Sequence, residues 1–308
     1  MDFLYEIVQL DFTIGQALLL HFFVKYFLMF LFFSSAGWLI ESLYCSIGPI
    51  VSGKVKKFKF INRGFLTGPL TPIYGVSCMV MAATLLPFKN NIFAIFFLGL
   101  VVCDVVEYVT SFAMEKLFNA RWWDYTGYFL NIKGRICFRN SIIWGALSVV
   151  FIKGIYPGIN WVFDKLLDAI TWEGIIALTF LLLGVFLVDL GRTVVASLRI
   201  HDLVLKAKGF RDAIYGAGDK LKTSGDELLS DLQANYVDDM RRSVSHMTGW
   251  QRYRVKRMIE MYPQLLDYFA RTREEIMEVA DISSLLGELR FLRMDLEAFF
   301  THEKNEMY

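Results

Sequence analysis

The sequence predicts an all-α membrane protein: a polytopic bundle of about five transmembrane helices, followed by a C-terminal cytoplasmic all-α domain. Three observations support this fold class. Apolar residues make up 55% of the 308 residues, which leaves too few polar side chains to cover a soluble core. Apolar runs long enough to cross a bilayer recur through residues 1–198. Charged residues, with apolar ones at helical spacing, fill residues 199–308.

Five apolar runs make up the predicted transmembrane domain, at about residues 16–46, 69–86, 91–116, 140–156 and 173–198. Each has at least the ~17 residues that cross ~30 Å of hydrocarbon. Asp2, Glu6 and Asp11 precede the first run, whereas a secretory signal peptide begins with a basic region. We therefore expect the first run to remain in the mature protein.

Lysine and arginine in the short loops predict the orientation of the spans. The loops after the first and third runs are basic, whereas those after the second and fourth contain few bases. The basic residues are Lys54, Lys56, Lys57, Lys59 and Arg63 in the first of these loops, and Lys116, Arg121, Lys133, Arg135 and Arg139 in the other. This alternation predicts an N-terminus outside the cell and a C-terminus in the cytoplasm.

The tail, residues 199–308, is the second predicted domain. Its punctuating residues predict four or five short helices; they are Gly209, Gly216, Gly218, Gly225, Gly249 and Pro263. Near its end, apolar residues step by four and three positions, which is typical of a short coiled-coil seam; they are Leu285, Leu289, Leu292, Leu296 and Phe299. This seam either packs within the tail or pairs with a second copy or a partner subunit.

Charged residues inside the apolar runs are the candidate functional site, because a charge at the bilayer centre costs at least ~2.5–3.5 kcal/mol. Asp104 and Glu107 share one helical face of the third run with Glu115. The runs place the other candidates at a similar depth: Glu41, Arg135, Arg139, Asp189 and Arg192. Two interpretations remain open. The acids pair with the arginines and fix the bundle, or they line a cytoplasm-facing cavity for an ion, a proton or a polar solute.

Two further stretches carry structural signals. In "GFLTGPLTPIYG", Pro69 suits the first turn of a helix, whereas Pro72 before Tyr74 indicates broken backbone at membrane depth. The aromatic residues after the third run are typical of a belt at the inner interface; they are Trp122, Trp123, Tyr125 and Tyr128. The alternative is that this stretch caps the cavity.

Several classes of function receive no support from the sequence. The net charge of +1 does not indicate nucleic-acid binding. The four cysteines, Cys45, Cys78, Cys103 and Cys137, have no metal-ligand spacing, so we interpret them as buried free thiols and expect neither metal nor cofactor. G-x-x-x-x-G-K-[ST] is absent, so another chain would have to bind any ATP that is used. H-E-x-x-H and G-x-S-x-G are also absent, which makes an enzyme less favoured than a transporter.

Four segments, "NRGFLTGPLTPIYG", "EYVTSFAMEKLF", "RWWDY" and "GRICFRNSIIWG", resemble the bacterial ABC-transporter permease family of the CmpB type. The resemblance covers roughly residues 30–155. The matching residues are Asn62, Arg63, Gly64, Gly68, Pro69, Pro72, Tyr74, Gly75, Glu107, Trp122, Trp123, Asp124, Tyr125, Gly134, Arg135, Trp144 and Gly145.

The resemblance implies a multi-pass protein of the bacterial cytoplasmic (inner) membrane with a transport role, and it transfers no substrate. Its partners would be the lipid bilayer and either a second copy or a separate ATPase subunit. The function that we predict is therefore a permease-like component that transports or binds a solute or an ion. A membrane scaffold or regulator acting through its cytoplasmic tail, or an intramembrane lipid-modifying enzyme, is the alternative.

Overall fold

The computed structural model describes residues 2–53, 57–58, 60–118, 123–221, 235 and 238–261. Within these residues the regular structure is helical and no strand is found. The helices are α1 (Asp2–Val51), α2 (Pro72–Leu85), α3 (Ile92–Phe118), α4 (Phe138–Val150), α5 (Tyr156–Ala169), α6 (Trp172–Leu221), α7 (Asp238–Ser245) and α8 (Gly249–Met261). The predicted seam from Leu285 to Phe299 lies outside the described residues.

Four helical stretches are long and apolar enough to cross a membrane: Gly15–Val51, Ile92–Leu117, Phe138–Ala169 and Trp172–Arg199. They confirm the predicted helical membrane fold. The predicted second span corresponds to a shorter apolar stretch, Pro72–Phe88, in which a 3₁₀ turn (Leu86–Phe88) continues α2. At 1.5 Å per residue this stretch is about 25 Å long, a little less than the hydrocarbon core.

Two helix boundaries differ from those expected from the sequence. Helix α2 begins at Pro72 rather than near Pro69, because Thr71, which precedes a proline, is extended with φ −123° and ψ 90°. The fourth run does not end at Tyr156. A π-helical turn, Phe151–Ile155, joins α4 to α5, and helical structure continues to Ala169.

Helix α6 also differs from the prediction for the tail. It continues through Gly209, Gly216 and Gly218 to Leu221, so these glycines do not end a helix. A glycine inside a helix costs about 1 kcal/mol relative to alanine, which a long helix tolerates. The predicted domain boundary after Leu198 therefore lies inside α6.

The chain divides into two compact units. The first comprises Met1–Thr110 and Trp123–Gly191, and the second comprises Ser111–Trp122 and Arg192–Tyr308. Helices α3 and α6 contribute residues to both units.

The core of the first unit lies where α1, α2, α3 and the α4–α5 helix pack. Its buried residues include Val24, Met29, Phe33, Met81, Leu85, Ile95, Phe151 and Ile152. Glycine permits the closest approach of α2 to α1, because a Cβ on Gly75 would lie 2.6 Å from the Phe30 carbonyl oxygen. Beside this core, Lys25 Nζ on α1 lies 2.5 Å from Asp164 Oδ1 on α5.

In the second unit, polar contacts join α6 to α7 and α8. Lys206 Nζ lies 2.9 Å from Asp239 Oδ2 and 3.3 Å from Asp202 Oδ2. The guanidinium groups of Arg192 and Arg254 lie 5.4 and 5.5 Å from the centroid of the Trp250 ring. Cations over the indole face are attracted by its quadrupole, so these contacts favour the docking of α8 on α6.

Candidate functional site

A non-helical segment, residues 60–71, lies against the C-terminal half of α1. The amide of Ile61 donates to Ser46 Oγ (2.8 Å), the amide of Arg63 donates to Ser42 Oγ (3.0 Å), and the amide of Thr71 donates to the Ser34 carbonyl (3.0 Å). From Ser46 to Ser34, α1 rises about 18 Å, so the segment follows α1 over more than half a bilayer core. Non-helical backbone at membrane depth persists only where protein or water satisfies its amides.

Asn62 fixes the turn at the start of the segment. Its Oδ1 accepts hydrogen bonds from Trp38 Nε1 (2.8 Å) and from the Gly64 amide (3.0 Å). A Cβ on Gly64 would lie 2.8 Å from Trp38 Cδ1, so only glycine allows this contact without a shift. Asn62 and Gly64, two residues of the "NRG" motif, therefore position the start of the segment against α1.

Asp189 anchors the middle of the segment to α6. Its Oδ1 accepts from the Thr67 amide (3.1 Å) and from Thr67 Oγ1 (2.5 Å), and its Oδ2 accepts from the Gly68 amide (2.8 Å). Backbone amides that bind a carboxylate stabilise its charged form. The observed contacts of Asp189 are therefore those of an anchor for the non-helical segment.

Glu41 on α1 lies beside the same segment. The Nε atom of Arg63 lies 3.6 Å from Glu41 Oε1. Tyr74, at the start of α2, also forms a side-chain hydrogen bond with Glu41. A Cβ on Gly37 would overlap the Tyr74 ring, so the bare surface of α1 there lets Tyr74 reach the carboxylate.

Glu107 is the most enclosed of the predicted acids. Its side chain is 8% exposed, and it accepts hydrogen bonds from Tyr125 Oη (3.0 Å) and Trp144 Nε1 (3.0 Å). Both observed donors are neutral. Burial, and then the charge of Glu107, raise the pKa of Tyr125 well above its ordinary value, so its phenol remains a donor throughout the physiological range.

Asp104 lies one helical turn before Glu107 on α3. Its Oδ2 accepts a hydrogen bond from Ser141 Oγ on α4 (2.7 Å). Its Oδ1 is buried and accepts none from the described residues. Asp104 and Glu107 repel each other electrostatically, as expected for two carboxylates on one face of a helix.

The three predicted arginines all lie against aromatic rings. Arg135 is 8% exposed, its Nη1 donates to Tyr108 Oη (3.3 Å), and its Cζ lies 5.1 Å from the centroid of that ring. Arg139 lies over Tyr128, 4.7 Å from the ring centroid. Arg192 belongs to the second unit and lies over Trp250.

The loop from Trp123 to Cys137 supplies Tyr125 to the site. Trp123 Nε1 donates to the Arg135 carbonyl (3.0 Å), and the Tyr125 amide donates to the Gly134 carbonyl (2.8 Å). Gly134 has φ +69°, which glycine adopts without strain. Asp124 Oδ1 accepts from the Thr126 amide (2.9 Å), so it stabilises the turn itself.

Whether this aromatic stretch forms a membrane belt or caps a cavity stays a prediction, and within it the hydroxyl of Tyr125 bonds Glu107. Tyr128, which is 44% exposed, keeps the surface position that the belt predicts. Trp122 lies outside the described residues. A tyrosine next to an intramembrane acid was the available signal, but the spacing of 18 residues between Tyr125 and Glu107 concealed the contact.

Two polar groups thus form from the predicted residues of the first unit. One joins Glu41 to Arg63 and Tyr74, and the other joins Glu107 to Tyr125 and Trp144. Tyr74 of the first group also interacts electrostatically with Tyr125 and Glu107 of the second. We call this set of six residues the polar centre.

These residues lie within a segment of the chain that matches a known protein family. The family model described as "Putative ABC-transporter type IV" (ABC_trans_CmpB) matches residues 28–194, which include the whole polar centre. No curated protein and no solved structure matches the chain. Its apolar helices and this family make it a membrane protein related to transport. Because the match covers more than half of the chain, the protein belongs to this CmpB-type family of ABC transporters of type IV.

Proposed function

We propose that this chain is the permease-like, membrane-spanning component of a transport system, and that its polar centre binds a proton or a small cationic solute. The proposal rests on the buried position of Glu107 and on the donors that bond it. Its carboxylate is almost fully buried within the apolar stretch Ile92–Leu117, and the donors observed on it are a phenol and an indole.

Neutral donors orient a carboxylate without cancelling its charge. A buried carboxylate without a compensating positive charge is costly, and Asp104 one turn away adds repulsion. A proton or a cation near Glu107 and Asp104 would remove both costs. A bound positive charge stabilises the occupied site. Release of the ligand therefore requires a change in the surroundings of the carboxylates.

Tyr74 supports a role for the whole polar centre rather than for Glu107 alone. It bonds Glu41 and lies within electrostatic range of Glu107 and Tyr125, so a change of charge at one acid is felt at the other. Hydroxyl groups between two carboxylates also suit the transfer of a proton, because a phenol both donates and accepts.

The energy source belongs to a second chain in this proposal. The sequence contains no G-x-x-x-x-G-K-[ST] stretch to cradle nucleotide phosphates. The family is one of ABC transporters, so we propose an ATPase subunit as the partner. Cross-linking and purification of the full chain from its native membrane should recover a protein with that motif.

Thermal unfolding of the purified full chain in detergent tests the cation site. Sodium, potassium, ammonium and putrescine chlorides are compared at constant ionic strength, and the pH is varied in a separate series. The variants are Glu107→Gln and, as a matched control, Asp164→Asn, whose acid pairs with Lys25 away from the polar centre.

We expect at least one cation, or a fall in pH, to raise the unfolding temperature of the wild type and of Asp164→Asn. The same change should leave Glu107→Gln unaffected. The proposal is overturned if no cation stabilises the wild type and if the pH profiles of wild type and Glu107→Gln superimpose.

A scaffold is the second candidate, and Asp189 favours it. Its bonds to Thr67 and Gly68 hold the non-helical segment, which is a structural role for an intramembrane charge. A chain that recovers a partner on purification, but that fails the cation test above, would fit the scaffold.

A further inference from the structure

Three sulfur-bearing side chains lie in the core of the first unit, where Cys103 directly precedes Asp104 and lies one helical turn before Glu107 on α3. Cys78 and Met81 lie one turn apart on α2, and Cys103 lies on α3. Cys103 Sγ is 3.5 Å from Met81 Sδ, and Cys78 packs against the same buried core. We call these three residues the sulfur cluster.

Two members of the sulfur cluster are buried, and Cys78 is half-buried. Met81 is 8% exposed and Cys103 is 6% exposed. Ser148 on α4, which is fully buried, places its Oγ 3.2 Å from Met81 Sδ and 3.8 Å from Cys103 Sγ. Ser148 fits there because Gly99 has no side chain, since a Cβ on Gly99 would overlap it.

We propose that the sulfur cluster is a binding site for a soft monovalent metal ion of the Cu(I) class. Thiolate and thioether sulfur are the ligands that select Cu(I) over harder ions. If a metal ion lay ~2.3 Å from both sulfurs, a typical metal–thiolate distance, the angle at the ion between Cys103 Sγ and Met81 Sδ would be about 100°. Two sulfurs 3.5 Å apart therefore reach one ion without a large movement.

Charge also favours a monovalent ion at this depth. Binding replaces the S–H proton of one cysteine, which is released to solvent, so a thiolate and Cu(I) together carry no net charge. A neutral complex avoids most of the cost of burying an ion in a low-dielectric interior. Met81 and the second cysteine then act as neutral ligands.

The described residues offer no comparable site for harder metals. Among the described residues, no three His, Cys, Asp or Glu side chains are grouped so that they could hold a metal ion. Two cysteines and one methionine form a set that suits only a soft ion. The sequence interpretation of Cys78 and Cys103 as inert buried thiols remains the competing account, because free cysteine also packs as a small apolar residue.

Competition with the Cu(I) chelator bicinchoninate tests the site, using the purified full chain in detergent under anaerobic, reducing conditions. We expect one Cu(I) per chain in the wild type. Changes outside the ligand shell cost about 10–100-fold in metal affinity, so loss of a ligand in Cys103→Ser should cost more than about 100-fold.

Two matched controls separate ligation from packing. Met81→Leu conserves volume and removes only the thioether, and it should weaken Cu(I) binding; Met79→Leu, on the same helix but outside the cluster, should not. Cys45→Ser, which removes a thiol on α1, should also bind as the wild type does. Thermal unfolding without metal confirms that each variant is folded.

The proposal is overturned if the wild type takes up no Cu(I) against the chelator. It is also overturned if Met81→Leu and Met79→Leu bind equally, or if Cys45→Ser loses as much affinity as Cys103→Ser. Each of these results compares Cu(I) affinities among chains that retain Glu107, so it is distinguishable from the outcome of the cation test, which replaces Glu107.

Discussion

At the scale of single residues, Glu107 shows that a buried acid finds its partners far away along the chain. Tyr125 follows it by 18 residues and Trp144 by 37, yet both donate to its carboxylate. Each oxygen of Glu107 accepts one hydrogen bond. An ionised carboxylate has two acceptor oxygens, whereas a side-chain amide has only one. The family match includes all three residues, and their shared contact gives a physical reason for their presence together.

Replacement of Glu107 by glutamine should lower the free energy of unfolding by about 1–3 kcal/mol, the cost of a buried donor without a partner. The amide offers a single acceptor oxygen, so Tyr125 and Trp144 can no longer both donate to it. Thermal unfolding in detergent measures the effect. Glu115→Gln, on the same helix and less buried, is the control, and equal shifts for the two variants would contradict the prediction.

Gly75 gives a second prediction for a single residue. In Gly75→Ala the new Cβ would lie 2.6 Å from the Phe30 carbonyl oxygen, so α1 and α2 must separate, at a cost of about 1–3 kcal/mol. Gly48→Ala is the matched control, because nothing lies within 4 Å of its Cβ position and alanine favours helix by about 1 kcal/mol. Thermal unfolding should therefore shift in opposite directions for the two, and a stable Gly75→Ala variant would refute the close contact.

Among the structural elements, the non-helical segment 60–71 is the most unusual. Its backbone amides are bonded by serines of α1 and by Asp189 of α6 rather than by a helix of its own. Ser34 lies eight residues before Ser42 and Ser42 lies four before Ser46, so one face of α1 carries all three serines past the segment. Helix α2 then begins at Pro72, where the segment ends.

Asp189→Asn tests the anchoring of this segment. Asparagine keeps one acceptor oxygen, so the amides of Thr67 and Gly68 cannot both stay bonded, and the segment should open more often. Hydrogen–deuterium exchange followed by mass spectrometry should show faster exchange in peptides covering 60–71. Asp164→Asn, which breaks the Lys25 pair, should leave those peptides unchanged, and unaltered exchange in Asp189→Asn would argue against the anchor.

For the whole molecule, the direction of the chain across the membrane is the main prediction. The alternation of basic and base-poor loops predicts that the loop containing Lys57 faces the cytoplasm and that Asn90 faces outward. In a chain whose four native cysteines are replaced by serine, Lys57→Cys should resist membrane-impermeant thiol reagents in intact cells. Asn90→Cys should react, and the reverse pattern would refute the orientation.

The membrane fold could be predicted from the sequence because it depends on composition and periodicity along the chain. Long apolar runs force helical structure, since lipid offers no partner for backbone amides. The same reasoning places Glu41, Asp104 and Glu107 inside those runs, and their role as a functional site stays a prediction.

Composition and periodicity along the chain do not predict which residues distant in sequence contact each other. Nothing in the spacing of Asp189 indicates that it bonds Thr67 and Gly68, more than 120 positions earlier. One interpretation of the sequence pairs the acids with Arg135, Arg139 and Arg192, and this pairing stays a prediction. The structure shows other partners, because Arg63 and Tyr74 reach Glu41, and Tyr125 reaches Glu107.

The sequence by itself determined that the chain is helical, where it is apolar enough for lipid, and which charges lie within the apolar runs. Only the tertiary structure decided which groups satisfy those charges and that Pro72, not Pro69, begins α2. The physical reason is that burial in a membrane acts on each segment separately, through its own hydropathy. Hydrogen bonds to a buried carboxylate depend instead on how the helices pack, which is a property of all of them together.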